Sequence, residues 1–216
     1  MKLIVFDLDG TLLNTLQDLT DSVNYAMDEL NLNHYTCEQV RMMIGNGVAK
    51  LMERAVAKQS HIELKDEALR LQRLYYIKHS DDHTVPYNGI TEMLRELKRS
   101  GITVAVHTNK DENAAKSLCE KHFAGLIDYV YGTTGDGVTK PDPIKIKCLM
   151  SKLGVKADET VYCGDSDVDI ATANNLGVRC ISVLWGFRDE SFLTTHGAKI
   201  FAENPRDIVT VVSKTK

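Results

Sequence analysis

The 216-residue sequence has little proline and little glycine, and no stretch of it is biased in composition. It contains 4 Pro and 14 Gly, whereas 43% of its residues are hydrophobic and 26% are charged. Collagen-like and low-complexity chains are much richer in Pro and Gly, and disordered chains are poorer in apolar residues. The composition therefore predicts a folded chain with one large domain, or with a main domain and a smaller insert.

Closely spaced cysteines are also absent. The five cysteines are odd in number, lie far apart and form no C-x-x-C pair; they are Cys37, Cys119, Cys148, Cys163 and Cys180. A disulfide framework or a zinc ribbon needs cysteines in regular pairs. We therefore expect reduced thiols, as in a cytosolic protein.

The sequence has neither a long hydrophobic run nor a block of basic residues. Its first apolar run, Leu3–Phe6, is ended by Asp7, far short of the apolar core of a signal peptide or a spanning helix. The 26 basic and 30 acidic residues give a formal net charge of −4, with no cluster suited to a phosphodiester backbone. We therefore expect a cytoplasmic protein with no membrane or nucleic-acid partner, and the sequence implies no obligate protein partner.

Short apolar runs alternate with helical segments along most of the chain. Leu3–Phe6 is rich in branched residues, as is typical of a strand buried in a parallel sheet. Similar runs occur at 102–106, 127–131, 161–163 and 180–184. Strands that alternate with helices favour right-handed crossovers. The predicted fold class is therefore α/β, with a doubly wound, mostly parallel, Rossmann-like sheet.

A long insertion follows the first predicted strand. About ninety residues separate this strand from the second, far more than one crossover helix requires. Apolar residues recur there at helical spacing, and Thr36 with Gln39 fits a capping box. We therefore predict an all-α helical cap domain at 14–84, inserted into an α/β core made of 1–13 and 85–216.

The strongest local signal is the motif Asp7-Leu8-Asp9-Gly10-Thr11, directly after the first predicted strand. A D-x-D pair alone is usually a solvated acidic turn. Here it follows a buried strand at the carboxyl edge of the sheet, where ligands bind in such folds. Residues two apart in a strand point the same way, so Asp7 and Asp9 can face one reacting centre.

A second acidic cluster, Asp165, Asp167 and Asp169, follows the predicted strand at 161–163. The two clusters should meet at the same sheet edge, where carboxylates repel one another unless a cation binds. Oxygen ligands without His or Cys suit Mg²⁺ rather than zinc. Asp167 or Asp169 could instead be the N-cap of the following helix, and the sequence leaves this alternative open.

Two further sites carry polar groups that suit an anion. Thr108 and Asn109 follow the predicted strand at 102–106, at the start of a helix. Alone, a Thr-Asn pair is an ordinary helix cap. Lys140 precedes a helix with Pro in its first turn, and a lysine there is usually a solvated surface charge.

Taken in order, these elements resemble the motif set of the haloacid dehalogenase (HAD) superfamily of phosphotransferases. They are D-L-D-G-T at 7–11, T-N at 108–109, K-P-x-P at 140–143 and G-D-S-x-x-D at 164–169. The segment M-I-G-N-G at 43–47 is similar to the cap loop of the subgroup that contains phosphoglycolate phosphatases. The resemblance implies a hydrolase of that subgroup with a helical cap.

The resemblance also implies a role for each motif residue. Asp7 would be the nucleophile that forms an aspartyl phosphate, and Asp9 the general acid and base. The phosphoryl group would be bound by Thr108, the backbone at Asn109 and Lys140. Mg²⁺ would be held by Asp7, the backbone carbonyl of Asp9 and Asp165, with Asp169 either a nearby ligand or a residue that orients the ligands.

The activity implied is hydrolysis of a small phosphorylated metabolite, with phosphoglycolate as the first candidate. Asp9 favours phosphoryl transfer because the dehalogenases of the superfamily lack the second Asp of D-x-D. Inorganic pyrophosphatase, nucleotide or sugar phosphatase and β-phosphoglucomutase share the motifs and stay open as alternatives. A non-catalytic sensor of a phosphorylated ligand is the alternative from another class, and the intact acidic motif argues against it.

Gly45, Asn46 and Gly47 are the expected substrate-specificity residues of the cap. A plain helix connector is the alternative interpretation of this loop. Two positions depart from the common family pattern: Asn14 stands where Asp is usual, and His107 stands where an aliphatic residue is usual. We interpret Asn14 as a hinge or a helix cap rather than a substrate contact, and His107 as a buried structural histidine rather than a catalytic residue.

Overall fold

The computed structural model of the protein describes residues 1–213, which form two compact units. An α/β unit contains residues 1–13 and the chain from residue 86 onward, and a helical unit contains residues 14–85. The strands in chain order are β1 (Leu3–Phe6), β2 (Leu13–Asn14), β3 (Val85–Pro86), β4 (Thr103–Asp111), β5 (Tyr129–Thr133), β6 (Thr160–Gly164), β7 (Arg179–Val183) and β8 (Phe201–Ala202). The helices are α1 (Leu16–Glu29), α2 (Cys37–Met43), α3 (Val48–Lys58), α4 (Lys65–His79), α5 (Ile90–Arg99), α6 (Glu112–Phe123), α7 (Ile144–Leu153), α8 (Asp167–Leu176), α9 (Glu190–Thr195) and α10 (Pro205–Ser213).

A six-stranded parallel sheet forms the centre of the α/β unit. Its strand order is β5-β4-β1-β6-β7-β8, and Leu3 of β1 lies opposite Thr103 of β4 and Thr160 of β6. The chain leaves β1 in one direction through β4 and β5, and then continues on the other side through β6, β7 and β8. This reversal places the carboxyl ends of β1, β4 and β6 side by side, at the position where such sheets bind ligands.

Both faces of the sheet are covered by helices. Ile4 and Phe6 of β1 lie in one apolar cluster with residues of α5, α6 and α10. Leu3 and Val5 lie in a second cluster, with residues of α7 and α8. All four side chains are fully buried. Burial on both faces explains why β1 is a continuous apolar run rather than an alternating one.

The predicted fold class, a doubly wound parallel α/β sheet with an inserted helical unit, is confirmed. β1 covers the predicted residues, whereas β5 begins and ends two residues later than the predicted 127–131. β4 continues to Asp111, beyond the predicted end at residue 106, because its last residues pair with β5 across an irregular register. The two-residue strands β2, β3 and β8 were not predicted, since two residues carry no periodic pattern.

The helical unit has its own apolar core, contributed by α1 to α4 and including Val23, Met27 and Met52. Thr36 and Gln39 form the predicted capping box at the start of α2. In the helices of residues 1–213, no segment combines the length and the apolar character needed to cross a membrane.

Candidate active site

Polar side chains from the three adjacent strand ends lie close together. Asp7 directly follows β1, Asp165 directly follows β6, and Thr108 lies in the last part of β4. The Asp7 N–H donates to the carbonyl of Cys163 at 2.9 Å, which extends the pairing of β1 and β6 by one residue. Asp7, Thr108 and Asp165 are all buried. The parallel sheet therefore brings the first, second and fourth motifs to one edge, as predicted from their order.

Lys140 lies inside this group and is only 5% exposed. Its Nζ lies 2.8 Å from Asp7 Oδ1 and 2.8 Å from Asp169 Oδ1. Burial opposes the charge of the ammonium, but Asp169 and Asp7 outweigh it and raise the pKa of Lys140 well above its usual value. The alternative of a solvated surface lysine is therefore wrong. Lys140 is a buried, charged partner of two carboxylates.

Three carboxylates form a compact acidic cluster beside this lysine. Asp7, Asp165 and Asp169 each offer one oxygen, and these oxygens lie within 4.8 Å of one another. Burial raises the pKa of Asp7 well above its usual value, although Lys140 opposes the shift. Burial, followed by the neighbouring Asp169, raises the pKa of Asp165 to about 7. Three carboxylates facing one ammonium leave an excess of negative charge, so the cluster can accept a hard cation.

Asp165 is held by two segments that lie far apart in the sequence. Its Oδ1 accepts from Thr11 Oγ1 at 3.4 Å, and its Oδ2 accepts from the Phe187 N–H at 2.6 Å. Trp185 Nε1 also donates to the Thr11 carbonyl at 2.9 Å. The loop at 185–187 therefore packs on the first motif and orients Asp165.

Gly10 makes this close packing possible. Its φ is +83°, in the left-handed region that favours glycine. A Cβ at this position would overlap Asp165 Oδ2 and come within 2.8 Å of the Phe187 ring. The glycine of the first motif is therefore needed both for the turn and for the approach of Asp165.

The N-cap interpretation of Asp167 and Asp169 needs correction, because Ser166 is the N-cap of α8. The Asp169 Oδ2 accepts from the Ser166 N–H at 3.1 Å and from Ser166 Oγ at 2.6 Å. Its other oxygen faces Lys140. Asp169 thus serves as the third residue of a capping box and as a member of the acidic cluster. Asp167 is half-buried and lies outside that cluster.

Asn109 positions Lys140 through its side chain. The Lys140 N–H donates to Asn109 Oδ1 at 2.7 Å, and Asn109 Nδ2 donates to the Lys140 carbonyl at 3.4 Å. The register between β4 and β5 shifts between His107 and Asp111, so the strand is irregular where it carries Thr108 and Asn109. Irregular strand ends of this kind redirect side chains beside active sites.

Asp9 has a different partner from Asp7. Its two oxygens accept from Lys110 Nζ at 2.9 Å and 3.2 Å. The Lys110 side chain is 5% exposed and that of Asp9 is 19% exposed. The Asp9 side chain does not belong to the acidic cluster. No role was predicted for Lys110, although its position directly after Thr108 and Asn109 was a usable signal.

His107 is buried directly before Thr108, and its structural role stays a prediction. It is 2% exposed, and its Nδ1 lies 3.2 Å from the Tyr162 hydroxyl. The same hydroxyl donates to the His107 carbonyl at 3.3 Å. Burial, with Lys140 and Lys145 nearby, lowers the pKa of His107 to about 3. The side chain is therefore neutral at physiological pH.

The three predicted specificity residues lie in the helical unit, between α2 and α3. Gly45, Asn46 and Gly47 have φ values of 124°, 65° and 83°, so all three lie in the positive-φ region that favours glycine. Arg54 on α3 donates to the Met43 carbonyl at 2.7 Å and to the Gly45 carbonyl at 3.1 Å. The loop is therefore held by its own unit in a defined conformation.

Comparison with known proteins agrees with this arrangement. A sequence profile of the family described as haloacid dehalogenase-like hydrolase matches residues 4–183. The chain is 34% identical to a protein of Pseudomonas syringae pv. tomato named phosphoglycolate phosphatase, over 96% of this chain and 76% of that one. It is 33% identical to a protein of the same name from Vibrio parahaemolyticus, over 95% and 90% of the two chains. A crystal structure of a candidate phosphoglycolate phosphatase from Lactobacillus delbrueckii subsp. bulgaricus superimposes with a TM-score of 0.92 at 31% identity, covering 98% of both chains.

Proposed function

The chain belongs to the haloacid dehalogenase-like hydrolase family, and on that basis we propose that it is a Mg²⁺-dependent phosphomonoester hydrolase. Family membership and the phosphatase class, both predicted from the motifs, are confirmed by the matched profile and by the relatives. The metal ion, an aspartyl-phosphate intermediate on Asp7 and a small metabolite as substrate are the proposed parts.

The contact of Lys140 with Asp7 is the observation that carries this proposal. A carboxylate and a phosphate dianion repel each other, so a carboxylate nucleophile needs positive charge at the place of attack. Lys140 brings that charge to 2.8 Å from an Asp7 oxygen in a buried site, where electrostatic interactions are strong. A sensor that only bound a phosphorylated ligand would have no use for a carboxylate beside its phosphate.

The acidic cluster fits a divalent cation. Asp7, Asp165 and Asp169 would hold it, and burial, followed by the charge of the neighbouring carboxylates, raises the pKa values of Asp7 and Asp165. Carboxylate oxygens without nitrogen or sulfur ligands favour Mg²⁺. When bound, the ion would keep these carboxylates ionised and offset the charge of the phosphoryl group.

In the first proposed step, an Asp7 oxygen attacks phosphorus. The Asp7 O–P bond forms and the ester P–O bond breaks, while Asp9 gives its proton to the leaving oxygen. In the second step, Asp9 takes a proton from water as the water oxygen attacks phosphorus. The O–P bond to Asp7 then breaks, which releases phosphate, restores the Asp7 carboxylate and leaves Asp9 protonated for the next cycle. Thr108, the backbone at Asn109 and Lys140 hold the phosphoryl oxygens in both steps.

Phosphoglycolate is the first candidate substrate because two relatives above 30% identity carry that name. The role of Gly45, Asn46 and Gly47 in choosing the leaving group stays a prediction. If the loop has this role, then Asn46→Ala should change the ranking of substrates by kcat/KM and lower the free energy of unfolding by no more than about 1 kcal/mol, because Ala is mildly disfavoured at the φ of 65°.

The test is phosphate release from phosphoglycolate, pyrophosphate, sugar phosphates and nucleoside monophosphates, each with Mg²⁺ and with excess chelator. Turnover that needs Mg²⁺ and favours one ester supports the proposal and identifies the substrate. Full turnover in chelator would contradict the metal assignment. Isomerisation of β-glucose 1-phosphate without net release would favour a mutase, and strong preference for pyrophosphate would favour a pyrophosphatase.

Asp7→Asn and Asp66→Asn form a matched pair for the nucleophile. Asp66 is exposed on α4, so its substitution should leave turnover intact. Asp7→Asn should fold, because the amide is nearly isosteric, and should lose turnover by more than about 10³-fold. Substantial residual turnover in a folded Asp7→Asn protein would contradict the proposed chemistry.

A further inference from the structure

The proposed chemistry leaves Lys110 without a role, yet this lysine is buried beside the proposed general acid. Its ammonium bonds both oxygens of Asp9, at 2.9 Å and 3.2 Å, and its side chain is 5% exposed. Burying a lysine is costly unless its charge is matched, and an apolar residue would cover the same surface at lower cost. A buried charge at this place calls for an explanation beyond packing.

The irregular end of β4 sets the position of the Lys110 backbone. Lys110 lies in the irregular end of β4, where the register with β5 shifts. Its N–H donates to Thr108 Oγ1 at 3.2 Å, so a local turn ties it to the proposed phosphate-binding threonine. The position of Nζ relative to Asp9 is therefore set by the same strand end that carries the phosphate site.

The distance from Lys110 to the leaving group follows from the role of Asp9. A general acid must come within about 3 Å of the oxygen that it protonates. Lys110 Nζ, itself 2.9 Å from Asp9 Oδ1, then lies within about 6 Å of the leaving oxygen. In an ester whose leaving group carries a carboxylate on the adjacent carbon, a carboxylate oxygen lies about 3 Å from the leaving oxygen, from ordinary bond lengths. One charge-assisted hydrogen bond spans the remaining gap.

We propose that Lys110 is a specificity residue that binds a carboxylate on the leaving group of the substrate. The inference rests on the proposed phosphatase function and narrows its substrate class to phosphate esters of small 2-hydroxy acids. Lys140 is engaged by Asp7 and Asp169 on the phosphoryl side. The two buried lysines therefore act on different ends of the substrate. Lys140 offsets the charge of the phosphoryl group, and Lys110 offsets the charge of the carboxylate.

The test compares three phosphate esters that differ in whether they carry a carboxylate and in whether their leaving group needs a general acid. Phosphoglycolate has a carboxylate and a poor leaving group, ethyl phosphate has a poor leaving group alone, and p-nitrophenyl phosphate needs no general acid. The informative quantity is the ratio of kcat/KM for phosphoglycolate to kcat/KM for ethyl phosphate. Any change shared by both esters reports on Asp9, whereas a change in the ratio reports on the carboxylate.

We expect the wild type to favour phosphoglycolate, and Lys110→Gln to lower the ratio by roughly 10- to 100-fold, mainly through KM. Glutamine keeps a donor for Asp9 but removes the charge. Lys110→Arg restores the charge and should recover part of the ratio, which a purely structural role does not predict. Lys116→Gln is the matched control, because Lys116 is exposed on α6 and pairs with Glu112.

A wild-type ratio near one would overturn the proposal without any variant. A ratio that stays at the wild-type value in Lys110→Gln, while p-nitrophenyl phosphate is still hydrolysed, would overturn the role of Lys110 and leave the phosphatase standing. Phosphate release from none of the three esters in Mg²⁺ would overturn the proposed function, and this inference with it. Should Lys110→Gln not fold, the ratio of the wild type still tests the proposal, because a ratio near one overturns it.

Discussion

His107 should make the stability of the α/β unit depend on pH in the mildly acidic range. The residue is 2% exposed, and burial together with Lys140 and Lys145 lowers its pKa to about 3 from the usual 6.5. In the unfolded chain the imidazole is accessible and takes up a proton near its usual pKa. Acid therefore favours the unfolded chain, and the perturbation that tests this is His107→Gln, which cannot take up that proton.

The magnitude follows from proton linkage. For a lowered pKa, the stabilising contribution is fully present above the unfolded pKa of 6.5 and is lost as pH falls toward the folded value of about 3. At about pH 5 the loss from this one group is about 2 kcal/mol relative to about pH 7.5. The free energy of unfolding should thus fall by about 2 kcal/mol more in the wild type than in His107→Gln over this interval.

The assay is urea unfolding followed by the fluorescence of Trp185, the single tryptophan, which lies in the α/β unit. The difference between the two proteins removes the contribution of carboxylates such as Asp165, whose pKa burial raises to about 7. His196→Gln is the control, because this histidine is exposed on the surface of the same unit. Equal pH dependence in the wild type and His107→Gln would refute the reasoning.

Three other perturbations test separate contacts. Gly10→Ala should cost about 1–3 kcal/mol of stability and reduce turnover, because a Cβ would overlap Asp165. The control, Gly101→Ala, is also at positive φ but has open space around it, so it should cost about 1 kcal/mol and leave turnover unchanged. Equal losses of stability and activity in the two variants would contradict the steric argument. Asp18→Ala removes the buried acceptor of the His83 and Thr84 N–H groups and of Thr84 Oγ1. It should lower the stability of the helical unit by about 3 kcal/mol, measured as faster hydrogen exchange at those two amides. Unchanged hydrogen exchange would contradict this prediction. Removal of divalent metal should abolish turnover and lower the urea midpoint, with both restored by Mg²⁺; a midpoint that ignores Mg²⁺ would argue against a site at the acidic cluster.

The sheet could be predicted from the sequence because strands buried on both faces give continuous apolar runs. Leu3–Phe6 and the strand near 161–163 show this pattern clearly, and each ends in an acidic motif. Two-residue strands such as Phe201–Ala202 carry no pattern, and their pairing depends on neighbours distant in the sequence. Local sequence therefore predicts the sheet's interior better than its edge.

The candidate site was predicted where its residues stand at strand ends. Asp7 and Asp165 follow their strands directly, so topology alone brings them together. By residue type and position alone, Lys140 could not be distinguished from a surface lysine, because its burial depends on Asn109 and on two carboxylates from other segments; only the family resemblance assigned it to the phosphate site. The contribution of Phe187 could not be predicted for a related reason: it is a backbone N–H, and residue types do not reveal what a backbone group binds.

The most direct test of the central claim is to trap the phosphoryl group on the protein. Asp9→Asn enzyme, mixed with p-nitrophenyl phosphate and Mg²⁺ and quenched rapidly, should accumulate an acyl phosphate because the second step lacks its base. Reduction with borohydride and peptide mass spectrometry should then find homoserine at position 7. Burst release of p-nitrophenol with an unmodified Asp7, or with the label on another residue, would contradict the account.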